Sequence, residues 1–208
     1  MNDSEKLLNE LKDIRTIMER SSRFLSLSGL SGILVGLYAL AGTIWAYQII
    51  YIQFPNSFGK EYLPDVPSQV FLIGVGVLIL SLITIFFLTI KKARKEKKSI
   101  WGPGSKLLLL NLMIPLVTGA VLVAILTMRE YYGLLCPTFL IFYGLALVNA
   151  AKYTRTEILG LGIVEIVLGL LAAMFPAYGL YLWALGFGVL HIIYGSVFLT
   201  HEYNEKKL

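Results

Sequence analysis

Residues 158–200 read ILGLGIVEIVLGLLAAMFPAYGLYLWALGFGVLHIIYGSVFLT, and this stretch decides the fold. Its 43 residues hold one formal charge, Glu165, and one histidine, His191. A helix crossing the ~30 Å hydrocarbon layer takes about 20 residues. The stretch is therefore too long for one crossing and suits two. Phe175-Pro176-Ala177-Tyr178-Gly179 is the break between them, because Pro and Gly both end helices. A β-barrel does not fit. Barrel strands alternate apolar and polar residues, whereas Val75-Gly76-Val77-Leu78-Ile79-Leu80 is apolar on both faces. Unbroken apolar chain in lipid must satisfy its backbone within the segment, which means helix.

The rest of the chain repeats this pattern. No charge falls between Arg23 and Lys60, Asp65 and Lys91, Lys106 and Arg129, or Glu130 and Lys152. The sequence thus predicts six transmembrane helices in three hairpins, near residues 29–50, 70–90, 107–127, 132–151, 157–174 and 180–199. The fold class is all-α, a polytopic membrane helix bundle. Residues 24–200 form the six-span domain, residues 1–23 a cytoplasmic amphipathic helix and residues 201–208 a tail. Composition agrees. Apolar residues make up 57% of the chain and charged residues 15%, against about 25% charged in soluble domains. That excludes a water-soluble globule, and the hydrophobicity excludes disorder.

Sixteen of the 18 Lys and Arg residues fall in the N-terminal segment, the second and fourth connections and the tail. Only Lys60 and Arg129 lie on the other side. The positive-inside rule then puts both termini in the cytoplasm, and an even number of spans agrees. The long charged stretch ahead of the first span does not read as a cleavable signal. A bacterial inner membrane is the expected location.

Outside the spans, Leu7, Leu11, Ile14 and Met18 fall on one helical face of residues 3–23. The opposite face mixes acids and bases, which suits a cytoplasmic protein partner or a second copy of the chain, or a fold back onto the chain's own cytoplasmic loops, better than a lipid surface. Lys91, Lys92, Arg94, Lys95, Lys97 and Lys98 form a basic cluster suited to anionic membrane lipid, at about 1 kcal/mol per residue. No nucleic-acid module accompanies it. Tyr47, Tyr51, Phe54 and Tyr62 read as an interfacial aromatic belt.

Glu165 and His191 are the polar residues inside. Gly162-x2-Glu165-x3-Gly169 and Gly188-x2-His191-x3-Gly195 share the same offsets, and Gly29, Gly32 and Gly36 repeat them in the first span. Small residues let membrane helices approach closely, so both polar side chains are expected on packing faces. Glu165 lies 13 residues before Tyr178 and His191 lies 13 after it. A hairpin turning there brings the two to one depth, within hydrogen-bond reach directly or through water. Such a pair is either a proton site or a structural interhelical bond.

Other chemistry is missing from the sequence. There is no HExxH, GxSxG or P-loop. The single cysteine, Cys136, excludes a multi-thiolate site, and His191 and His201 stand ten residues apart, about 15 Å along a helix. No metal, cofactor or enzyme activity is expected.

The Gly162–Gly169 segment, the Phe175-Pro176 turn and the Gly186–Gly195 segment resemble the glycine-rich hairpins of HdeD-type acid-resistance membrane proteins. That resemblance covers about a fifth of the chain and implies six spans and a role in envelope stress. Two functions are expected from these features. One is a non-enzymatic sensor or scaffold whose N-terminal helix binds a partner or self-associates. The other is a small proton-linked transporter or channel using Glu165 and His191.

Overall fold

The computed structural model describes residues 28–53, 65–95, 103–154 and 157–205. The amphipathic helix of residues 3–23, with Leu7, Leu11, Ile14 and Met18, lies outside them, as do Lys97, Lys98, Phe54 and Tyr62. Among the described residues every long element is a helix and none is a strand. Helix α1 spans Gly29–Tyr47 and continues as a π-helical turn, Gln48–Gln53. Helix α2 spans Asp65–Lys95, α3 Pro103–Met128, α4 Leu135–Ala151 and α5 Glu157–Met174. The last helix, α6, covers residues 179–205 in three parts. It opens as an α-helix, Gly179–Trp183, widens into a π-helix, Ala184–Leu190, and resumes as an α-helix, His191–Glu205.

Six helices are long and apolar enough to cross a membrane. Some run past the expected limits. Helix α2 has 31 residues, about 46 Å at 1.5 Å per residue, which exceeds the ~30 Å apolar layer. Its extra turns carry Lys91, Lys92, Arg94 and Lys95, because helical hydrogen bonding need not stop where the apolar run does. Pro137 sits in the first turn of α4, where no intrahelical N–H bond is lost. Pro115 lies inside α3.

Packing follows the glycines more closely than the order of the chain. Helix α1 packs on α2, and α3 packs on α4. Helix α5, however, lies mainly along α4, and α6 lies mainly along α1. The spacing of small residues explains this. A methyl group placed on Gly144 of α4 would fall 2.6 Å from the carbonyl oxygen of Gly162 on α5. One placed on Gly36 of α1 would fall 2.6 Å from the carbonyl oxygen of Gly188 on α6. Seven residues further along, Gly29 approaches Gly195 and Gly169 approaches Ile141 in the same way, with main-chain atoms at 2.6 and 2.9 Å. Gly32 closes on the Cα of Gly195, 3.1 Å from where its own Cβ would stand. Two antiparallel pairs, α1·α6 and α4·α5, are thus built on one repeated contact. The connection between α5 and α6 is short, a 3₁₀ turn at Pro176–Tyr178, yet each helix has its larger interface elsewhere.

Candidate functional site: a buried glutamate, histidine and tyrosine

The site forms where α6 crosses the α4·α5 pair. Glu165 sits at mid-helix on α5, between Gly162 and Gly169, and those glycines draw α4 close. Leu140 meets its carboxyl across Gly186 and belongs to an apolar cluster with Leu168 and Ala172, with Trp183, Phe187 and Leu190 of α6 packed against it. Glu165 is 0% exposed, and neither carboxyl oxygen has a hydrogen-bond partner among the described residues. Leaving a buried polar group unpaired costs about 1–3 kcal/mol, and more if it is charged. A side chain kept only for packing would have no reason to be an acid here.

Gly186 makes room for that carboxyl. It lies within the π-helical part of α6, and any Cβ there would overlap Glu165 Oε2 and stand 2.7 Å from Leu140 Cδ2. The π-helix also sets the histidine. His191 is buried, and its Nδ1 lies 3.0 Å from the carbonyl oxygen of Gly186. A carbonyl can only accept, so Nδ1 carries the hydrogen and donates it. In the neutral ring Nε2 then has the lone pair, and the Tyr143 hydroxyl of α4 donates to it at 2.7 Å. This assigns the tautomer from its partners. The ring is held by aromatic neighbours on α4 and α6. Tyr143 lies 5.5 Å and Phe187 6.0 Å from the imidazole, and Trp183 continues the row at 4.9 Å from Phe187.

Glu165 Oε1 stands 3.7 Å from His191 Nδ1. That is beyond the usual 2.7–3.2 Å of a hydrogen bond, and within reach after a small side-chain movement. The structure therefore brings the two residues singled out by spacing to one place, at one depth, without a direct bond. Nδ1 is engaged by its own helix, because the π-helix turns the Gly186 carbonyl toward it. If His191 took a second proton, the Nδ1 hydrogen could swing from Gly186 to the carboxylate. The three groups can thus hold and exchange a proton.

Sequence spacing missed Tyr143 and Gly186. Tyr143 had a usable signal: it lies near the middle of a span, whereas tyrosine in membrane helices is expected at the interfaces. Gly186 is one of several glycines in α6 and had none. Asn111 serves packing between helices. Asn111 Nδ2 donates to the Leu107 carbonyl at 2.8 Å and reaches Tyr153 at 3.5 Å. Lys91, Arg94 and Lys95 are exposed on the last turns of α2, with Ala93 buried between them. Among the described residues no group of three His, Cys, Asp or Glu side chains is placed to hold a metal ion. Tyr47 and Tyr51 of α1 meet Tyr181 of α6 at 6.2 and 6.4 Å.

A steric test follows from Gly186. Gly186→Ala is expected to destabilise the protein by about 1–3 kcal/mol and to displace the Glu165 carboxyl. Adding Glu165→Ala should recover much of the loss. Thermal unfolding in detergent checks this, and losses that simply add would mean the two residues do not compete for space.

Comparison with known proteins gives no match. No family model, curated protein or solved structure matches this chain.

Proposed function

We propose that this is a non-enzymatic integral membrane protein of the bacterial inner membrane, with both termini cytoplasmic, that works as a small proton-linked transporter. Glu165 is its proton-binding group, and His191 and Tyr143 are the groups that pass the proton. The observation that supports this reading is the Glu165 carboxyl itself. It is sealed from solvent, has no partner for either oxygen among the described residues and stands 3.7 Å from an imidazole. Ionisable residues within membrane helices are expensive and mark ion or proton pathways. A second feature supports it. The helix carrying His191 is π-helical just before that residue, and π-bulges are frequent at functional sites.

The HdeD-type resemblance of the last two spans implies a setting, envelope stress, and no particular chemistry. The alternative, a sensor or scaffold acting through residues 3–23, rests on residues outside those described, and no observation on the helices favours it.

The test uses purified protein in liposomes that hold a pH-sensitive dye. After an external acid step, vesicles with the wild-type chain should acidify faster than empty ones. Glu165→Gln keeps the shape of the side chain but cannot release a proton, and should reduce the rate to that of empty vesicles. Equal rates for wild type and Glu165→Gln would end the proton role of Glu165.

A further inference from the structure

Glu165 lies too deep to exchange protons with water unaided, so the reading above requires a route. We infer that the seam between α5 and α6 is that route, and that the His201–Glu157 pair at its mouth is the site of proton uptake. This rests on the proton-linked reading of Glu165 and adds residues to it.

Three observations carry the inference. First, His201 Nδ1 and Glu157 Oε1 lie 3.2 Å apart, joining the end of α6 to the start of α5. The His201 side chain is 50% exposed and Glu157 28% exposed, so this pair meets solvent while the inner pair does not. Second, His191, Tyr194, Phe198 and His201 fall at i, i+3, i+7 and i+10 on α6, within one helical face. Third, the Tyr194 hydroxyl lies against α5 at Gly160, 2.9 Å from where a Cβ on that glycine would stand. Gly160 is three residues from Glu157 and five from Glu165. Tyr194 therefore places a hydroxyl between the surface pair and the buried one. Its immediate surroundings are apolar, with Leu147, Ile158 and Leu161 forming a cluster on which Tyr143 and Tyr194 both pack. The two hydroxyl-bearing rings thus share one lining.

The titratable groups facing this line are Tyr143 from α4, Glu157 and Glu165 from α5, and His191, Tyr194 and His201 from α6 itself. Helix α1, against the other side of α6, presents Gly29, Gly32 and Gly36. In the proposed sequence His201 takes a proton from water. Water reaching the exposed His201–Glu157 mouth carries it to the Tyr194 hydroxyl, which accepts one proton on oxygen as it releases its own. The Tyr143 hydroxyl relays in the same way to His191 Nε2. The imidazolium so formed gives its Nδ1 hydrogen to ionised Glu165 Oε1. One proton enters at His201 and one is gained at Glu165, and the imidazole is left neutral as the other tautomer.

The experiment is the same dye-loaded liposome assay, run on Tyr194→Phe, His201→Ala and Glu165→Gln, with and without imidazole in the external buffer. Tyr194→Phe and His201→Ala should each slow acidification by roughly a hundredfold, the low end of the scale for losing a proton-transfer group. Imidazole should restore His201→Ala, whose missing ring was half exposed, and should not restore Glu165→Gln. A slow His201→Ala that imidazole leaves slow would make His201 structural and overturn the uptake site. Normal rates in Tyr194→Phe and His201→Ala with a blocked Glu165→Gln would overturn the route and leave the proton role of Glu165 standing. Normal rates in all three would remove both.

Discussion

Gly144→Leu should prevent the protein from being recovered folded. A leucine there must place its Cβ 2.6 Å from the Gly162 carbonyl oxygen and 2.9 Å from the Ile166 nitrogen. Both are main-chain atoms of a helix, so neither can yield without moving all of α5. Overpacking costs about 1–3 kcal/mol, and more where the backbone must shift. Here the shift would separate the two helices that enclose Glu165. The control is Gly74→Leu on α2, where a Cβ meets nothing within 4 Å. Size-exclusion profiles and thermal unfolding in detergent should show a normal Gly74→Leu beside an aggregated or strongly destabilised Gly144→Leu. Similar stability for the two would mean that α4 and α5 do not approach as described.

Glu165→Leu should do the opposite, leaving a stable protein without function. The substitution removes two buried oxygens that lack partners and replaces them with an apolar side chain where the carboxyl and Leu140 both lie against Gly186. Stability is expected to hold or to rise, by up to roughly 1–3 kcal/mol, the usual cost of an unsatisfied buried group. Proton uptake in liposomes should disappear. A protein that tolerates the change in stability but not in activity has an acid there for its chemistry. A large loss of stability would instead mean that the carboxyl holds the helices together.

The six spans were legible because a charge-free run of about 20 residues in lipid leaves the backbone little choice. The pairing of the spans was less so. Small residues at seven-residue intervals show which face of a helix packs, but not on which neighbour. On spacing alone Gly162 and Gly169 suit α6 as well as α4. The structure favours α4 because Gly144 and Ile141 stand at the matching heights.

The candidate site shows the same limit. Counting residues from the turn placed Glu165 and His191 at one depth, since helical rise is fixed. The space between them depends on the π-helix at Ala184–Leu190, which adds a residue to the turn and rotates all that follows. Nothing in that stretch announces it, although Gly186 and Gly188 leave the backbone free of side-chain restraint. That rotation aims His191 Nδ1 at the Gly186 carbonyl and leaves the carboxyl at 3.7 Å. Tyr143 completes the site from α4, a helix whose part in it no spacing rule within the last two spans could supply.

The most direct measurement is an infrared titration of the reconstituted protein, reading the C=O stretch of a protonated carboxylic acid. Difference spectra between acidic and alkaline buffer should contain one such band from an apolar environment. It should be lost in Glu165→Gln and shifted in His191→Ala, where the neighbouring imidazole is gone. A band that survives Glu165→Gln unchanged, or the absence of any titrating buried acid in the wild-type protein, would contradict a proton site at Glu165.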